Sequence, residues 1–295
     1  MRKIGIYPIS SPDLSLCERI RITSQIGFDY IAAGSMAQLL TSGEDGFLAT
    51  AEKEGLEIDN VHLSGSGTSK VWLPDEFGDQ VIDRYKQEMQ LALSAGVRKG
   101  VVHVTWGYEE VPVSEIGIER FARLVEFAEK IGFVICFENS VSAPHFRKVM
   151  DTFQASSSAM FTFDTGHWNA FCPQERIYHD YSHRIAVTHL ADNDGLRDLH
   201  LIPLDGCADY KKLGPALAHL DRLTFELSGP NKTTKTTASI EEERKKLSNT
   251  GVYSEGLVNF YEQKFTVYES LSYEAFLSRV LENAKKLCAL LDEET

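Results

Sequence analysis

The chain has 295 residues, 43% hydrophobic and 25% charged, enough to bury a sizeable core in one large domain or two small ones. Its 43 acidic against 30 basic residues leave a net charge of −13, which repels phosphate backbones and disfavours nucleic acid as a partner. The longest apolar stretches, such as Gly132–Phe137 and Ile185–Leu190, fall far short of the ~20 residues that cross a bilayer.

From the N-terminus, Met1-Arg2-Lys3 passes directly into a strand-like run without the apolar stretch and cleavage site of a secretory signal. Together with five cysteines that form no CxxC pair, this predicts a cytoplasmic protein with neither a disulfide framework nor a thiolate zinc site. Eight short β-rich runs then follow in order. They are Ile4–Ile9, Phe28–Ala33, Glu57–Ser64, Gly100–Trp106, Gly132–Glu138, Ala159–Thr165, Ile185–Ala191 and Arg222–Ser228. Helical spacing of apolar residues fills gaps between them, at Leu14–Ile26, Phe77–Ala95, Ser114–Ile131 and Ser142–Phe153, and Tyr273–Leu291 closes the chain. The repeated phrases Ile26-Gly27-Phe28, Ala95-Gly96-Val97 and Ile131-Gly132-Phe133 put a glycine just past a helix, where it turns the chain into a strand.

Near-continuous apolar strands alternating with helices predict parallel pairing, and eight such units suit an α/β (β/α)₈ TIM barrel, a closed parallel sheet ringed by helices. The rival, a doubly wound open sheet, lacks its usual glycine-rich phosphate loop here. We therefore expect residues 1–295 to form a single barrel, with an insertion at about 229–263 between the eighth strand and the last helix. Within it, Ile240–Leu247 could form a charged helix, and Tyr253, Phe260 and Tyr261 could cover the barrel mouth or a neighbouring subunit.

In such a barrel the reactive groups project from the C-terminal ends of the strands. Histidines and acids recur there: His62, His103, Glu138, Asp164 with His167, His189 with Asp198 and His200, and Glu226. A lone strand-end histidine is more often structural than a ligand. Glu138, Asp164 and Glu226, however, each follow an aromatic residue at an apolar strand end, where a bare carboxylate is costly to desolvate, so they call for a shared cation. Oxygen ligands mixed with imidazole suit Mn, Mg, Co or Zn as the divalent metal cofactor. The remaining histidines, His145, His179, His183 and His219, fall in helical patterns and are read as structural.

These phrases resemble those of the xylose isomerase-like TIM barrels, a family that includes sugar phosphate isomerases and epimerases, inosose isomerases and the endonuclease IV repair enzymes. The resemblance covers nearly the whole chain. It is carried by Cys136-Phe137-Glu138-Asn139, Phe163-Asp164-Thr165-Gly166-His167, His189-Leu190-Ala191-Asp192-Asn193-Asp194-Gly195, Asp198-Leu199-His200-Leu201-Ile202-Pro203, Phe225-Glu226 and Tyr268–Leu277. It implies one metal held by Glu138, Asp164, His189 and Glu226, as in the isomerases. The endonuclease branch implies a trinuclear zinc site, for which His62, His103, His167, Asp198 and His200 occupy suitable places. The chain departs from the family in two places: the Pro-Gly-x-Gly that often follows Asp-x-His reads Pro203-Leu204-Asp205-Gly206, and the insertion after the eighth strand is unusual.

The resemblance therefore implies an isomerase or epimerase of a sugar, sugar phosphate or inosose, working by proton transfer through a metal-stabilised enediolate. Glu138 and Glu226 would face the substrate carbon from opposite sides as catalytic acid and base. His167 or His200 would bind hydroxyls or complete the coordination, and Trp106 and Trp168 could pack the apolar face of the sugar, core packing being as good a reading for both. The alternatives are an endonuclease IV-like phosphodiester hydrolase and a non-catalytic metal-binding barrel. Expected partners are a small carbohydrate and a second copy of the chain in a homodimer.

Overall fold

The computed structural model describes residues 2–106, 111–230 and 268–293. All eight expected strands form, as β1 (Lys3–Ile6), β2 (Tyr30–Ala33), β3 (Glu57–His62), β4 (Lys99–His103), β5 (Val134–Glu138), β6 (Ala159–Asp164), β7 (Ile185–His189) and β8 (Arg222–Phe225). All pairings are parallel, in the order β7-β6-β5-β4-β3-β2-β1-β8. The ring closes where the Leu190 N–H donates to the Thr224 carbonyl at 2.9 Å and Leu190 bridges Phe225. This is a TIM barrel.

Helices cover the outside: α1 (Leu16–Ile26), α2 (Met36–Leu39), α3 (Phe47–Lys53), α4 (Phe77–Ser94), α5 (Glu115–Ile131), α6 (Ala143–Thr152), α7 (Thr165–Phe171), α8 (Ile177–Asp180), α9 (Tyr210–Leu217) and α10 (Tyr273–Glu293). Helix α1 starts on a capping box, in which the Ser15 hydroxyl accepts from the Glu18 N–H while the Glu18 carboxylate accepts from the Ser15 N–H. It ends on Gly27 at φ +100°, and α5 on Gly132 at φ +70°, as the repeated glycine phrases predict. Among the described residues no helix is long and apolar enough to cross a membrane.

Strand side chains alternate between two cores. Outward residues such as Phe137 pack under the helices, its ring 5.6 Å from Phe121 and 6.5 Å from Phe153. Inward residues fill the barrel in layers. The floor is ionic: the Asp59 carboxylate takes the Lys99 ammonium at 2.8 Å and the Arg222 guanidinium at 3.2 Å. Above it Val101, Cys136 and Val187 form a small apolar cluster of their own. Two residues further along, β4, β5 and β7 present His103, Glu138 and His189 at the mouth. Gly5 is required in this interior, because a Cβ there would overlap the Tyr30 ring.

The strands stop earlier than their apolar runs. Asp164 closes β6 by becoming the N-cap of α7, its carboxylate accepting the His167 N–H at 2.6 Å. Of the expected insertion, residues 231–263 lie outside the described part, and with them the charged helix at Ile240–Leu247 and the aromatics Tyr253, Phe260 and Tyr261.

Candidate metal centre

The inward period-two positions of β3 to β8 bring the expected strand-end residues together at one mouth. Glu138 lies at the centre. Its Oε1 is 3.2 Å from Nδ1 of both His167 and His189, and its Oε2 is 2.9 Å from Nε2 of His103 and 3.4 Å from Nε2 of His62. His189 Nδ1 also approaches Glu226 Oε2 at 3.0 Å and Asp164 Oδ2 at 3.8 Å. Potential ligand atoms of Glu138, Asp164, His189 and Glu226 all lie within 4.8 Å of one another, as do those of His62, His103 and Glu138. A third group adjoins them: Asp198 Oδ2 is 3.3 Å from His167 Nε2 and 3.1 Å from His200 Nε2.

Asp198 and His200 reach the mouth on a loop pinched shut by two hydrogen bonds between the backbones of Asp192 and Leu201, at 2.8 and 2.9 Å. The buried Asp192 carboxylate organises it, accepting N–H groups from Asn193, Leu204 and Ala208. A Cβ on Gly206 would collide with that carboxylate. Two non-glycine residues of the loop take left-handed backbone angles, His200 at φ +46° and Leu204 at φ +73°. Leu204 is the residue that departs from Pro-Gly-x-Gly, and it takes a left-handed angle without being glycine.

Whether these residues fit a cation is decided by their unmet needs. Glu138 Oε2, Asp164 Oδ2 and Asp198 Oδ1 are buried oxygens with no hydrogen-bond partner, all at this one mouth. A buried carboxylate oxygen left bare is destabilising by several kcal/mol, and a positive ion among the three removes that cost. Ionisation points the same way. Burial opposes the Glu138 carboxylate, yet His103 and His189 outweigh it and hold the group well below the usual carboxylate range. Burial likewise opposes Glu226, and His189 brings it down to about 2. Burial pushes Asp164 up to about 7 against the pull of His167. His200 is held at about 10 in spite of burial, chiefly by Asp198. Asp164 and His200 thus hold protons more tightly than usual; a divalent ion would supply the same positive charge. The donors are oxygen and imidazole nitrogen, and no thiol lies among them.

A cavity of ≈ 380 Å³ opens over the centre, with Glu138, Glu226 and the five mouth histidines except His189 on its wall. Trp106, 45% exposed, forms one side; its indole lies over Gly65, where any Cβ would overlap the ring. Trp168 does not line the cavity. Its side chain is buried on the outer layer against Tyr178, and its Nε1–H donates to the Glu175 carbonyl, so it packs the core instead of a sugar. Of the histidines read as structural, His145 is buried against Trp72 and accepts or donates at Ser142, away from this mouth. Asn139, not singled out in the sequence, ties the ends of β5 and β6 through reciprocal 2.8 Å bonds with the Asp164 backbone. Its place in the phrase Cys136-Phe137-Glu138-Asn139 was the signal for it.

A sequence model described as xylose isomerase-like TIM barrel matches residues 20–250. Among solved structures, D-allulose 3-epimerase from Methylomonas sp., in complex with D-allulose, is 15% identical over 97% of each chain with a TM-score of 0.66. D-psicose 3-epimerase from Clostridium cellulolyticum, with D-tagatose, is 14% identical over 97% of this chain and 99% of that one, TM-score 0.67. An L-ribulose 3-epimerase is 15% identical over 100% and 97%, TM-score 0.68. At these identities the likeness is one of fold. An uncharacterised protein of Sinorhizobium fredii, y4fM, is 35% identical over 57 residues, so the match spans 19% of this chain and 18% of that relative.

Proposed function

The chain belongs to the xylose isomerase-like TIM barrel family, and we propose that it is a divalent-metal-dependent sugar isomerase or epimerase, moving a proton on a carbon beside a carbonyl. The carrying observation is the pair Glu138 and Glu226. Both reach His189 Nδ1, at 3.2 and 3.0 Å, both border the cavity, and both are held ionised by the imidazoles around them. The reading is supported by the epimerase names of the structural neighbours and by a cavity whose size suits one monosaccharide.

Glu138, Asp164, His189 and Glu226 would hold the ion, which would polarise the substrate carbonyl and offset the charge that develops on its oxygen. The protein's own groups do the rest. Glu226, with a quarter of its side chain exposed, faces incoming substrate and takes or returns the proton. Glu138 is the second carboxylate, bordering the same cavity. His200 and His167 offer hydrogen bonds to hydroxyls, and the Trp106 face gives an apolar wall. Sugar phosphates and inososes belong to the same reading, and so does a cytoplasmic setting in which all five thiols stay free.

One observation favours a second reading. His62 with His103, and His167 with Asp198 and His200, extend the four-residue set into three adjoining groups, an arrangement suited to a polynuclear phosphodiester hydrolase. The two are separated by incubating the protein with Mn²⁺ and candidate ketoses or inososes in D₂O and following α-carbon deuteration by NMR, alongside elemental analysis of bound metal. Deuterium uptake with one ion per chain supports the isomerase. Three ions per chain, cleavage of an abasic-site duplex and no exchange would reject it in favour of the hydrolase.

A further inference from the structure

A polar chain runs up through the barrel interior from the ionic floor to the metal centre. The Asp59 carboxylate accepts from Lys99 and Arg222 on Oδ1 and is thereby fixed as an acceptor. Its Oδ2 lies 3.0 Å from the Asn60 amide, so the amide must present its NH₂ to Asp59 and its oxygen to the other side. On that side the Tyr7 hydroxyl donates to Asn60 Oδ1 at 2.6 Å. A hydroxyl has one proton. With that proton committed to Asn60, the Tyr7 oxygen faces His189 Nε2, 2.9 Å away, as an acceptor, and Nε2 must carry a hydrogen. Tyr7, Asn60 and His189 are all buried, so no solvent competes at these links.

We propose that Tyr7, Asn60 and Asp59 are positioning residues that lock His189 with its proton on Nε2, leaving the Nδ1 lone pair free for the metal among Glu138, Asp164 and Glu226. The inference rests on the metal reading above and goes beyond it, because it assigns ligand preparation to residues outside the proposed ligand set. The tautomer is dictated from the opposite end of the barrel. A ligand imidazole whose second nitrogen is held this way is both oriented and made more basic, and loss of such a partner weakens metal binding about ten- to a hundredfold.

The test uses the full chain with zinc as a diamagnetic probe, measuring its dissociation constant by chelator competition and the His189 Nε2–H resonance by ¹⁵N-edited NMR. Tyr7→Phe keeps the ring and removes the hydroxyl; the expected result is a ten- to hundredfold weaker zinc complex and a shifted or lost Nε2–H signal. Asp59→Asn, remote from the metal, is expected to act in the same direction by a smaller factor. Tyr30→Phe removes another buried hydroxyl of the barrel interior, one that bonds Thr224 Oγ1 at 2.9 Å, and is expected to leave both readouts unchanged. Circular dichroism melts establish that each variant is folded. Unchanged affinity and resonance in folded Tyr7→Phe or Asp59→Asn overturn the inference and leave the metal reading standing. An equal loss in Tyr30→Phe also overturns it, since packing alone would then account for the effect. A wild-type chain that binds no zinc rejects both.

Discussion

Glu138 Oε2 lies 2.9 Å from His103 Nε2, yet no hydrogen bond joins them. The His62 ring explains why: its Nδ1 faces the Leu63 carbonyl at 2.8 Å and must carry hydrogen, so a neutral His62 turns its Nε2 lone pair towards His103 Nε2, 3.1 Å away. The two imidazoles meet at their Nε2 atoms, and the carboxylate oxygen beside them is left bare. An ion between them would relieve all three atoms at once.

Stripping divalent ions with a chelator is therefore expected to lower the melting temperature. At an ion concentration of about 100 times Kd the bound state gains about 2.7 kcal/mol, worth roughly 4–5 °C for a chain of this size. Ligating imidazoles must shed their protons, so the affinity should also fall as pH is lowered. Calorimetric melts with Mn²⁺ or Zn²⁺ at pH 6 and pH 8 check both, and identical melts with and without chelator would refute the metal centre.

Glu226→Gln should retain metal through Glu138, Asp164 and His189 while slowing α-proton exchange by about 10²–10⁴, the usual worth of a positioned acid or base. Metal content and deuterium uptake are measured on the same sample. Full exchange with metal bound removes Glu226 from the chemistry.

Leu204 holds φ +73° with its side chain 39% exposed, so it pays a left-handed backbone penalty with little burial in return. Leu204→Gly should raise stability by about 1 kcal/mol. Gly206→Ala, two residues on, should lower it, because the new methyl meets the Asp192 carboxylate. Urea midpoints of the two variants should move in opposite directions.

Asp79 gives stability a pH dependence far from the mouth. Its carboxylate pairs with Arg120 at 2.6 Å and with Arg123, and Arg120 also caps the Val71 and Leu73 carbonyls. The Arg120 and Arg123 guanidiniums hold the Asp79 carboxyl at about 2, below its ordinary 3.8. A depressed carboxylate stabilises above its unfolded value and loses that contribution as pH falls from about 4 to about 2. With the side chain 43% exposed, screening reduces the effect to about 1 kcal/mol. Asp79→Asn should be less stable than wild type at pH 7 and equal to it near pH 2, by denaturant titration.

The strands and most helices were legible in the sequence because a parallel barrel writes each unit as an apolar run, a glycine stop and an amphipathic helix. The mouth residues were legible too, since β4, β5 and β7 end an inward period-two series on His103, Glu138 and His189. What sequence could not reveal were properties of rotation and proton direction. Trp168 sits one residue from His167 on α7, and only the helix phase decides that it turns to the core. Tyr7, Asn60 and Asp59 read as ordinary strand residues until the register stacks them. Leu204 read as a departure in the loop, with no hint that the glycine-like angle is kept.

The mouth side chains come from the C-terminal ends of six successive strands, from α7 and from the loop after β7, between His62 and Glu226. A chain emerging from the ribosome can thus present His62, His103 and Glu138 early, but it completes the four-residue set only when β8 has docked between β7 and β1. At the proposed metal centre, tight capture would in this way be a late event of synthesis, reporting that the ring has closed. A nascent or truncated chain ending before residue 226 would compete poorly for the cell's metal.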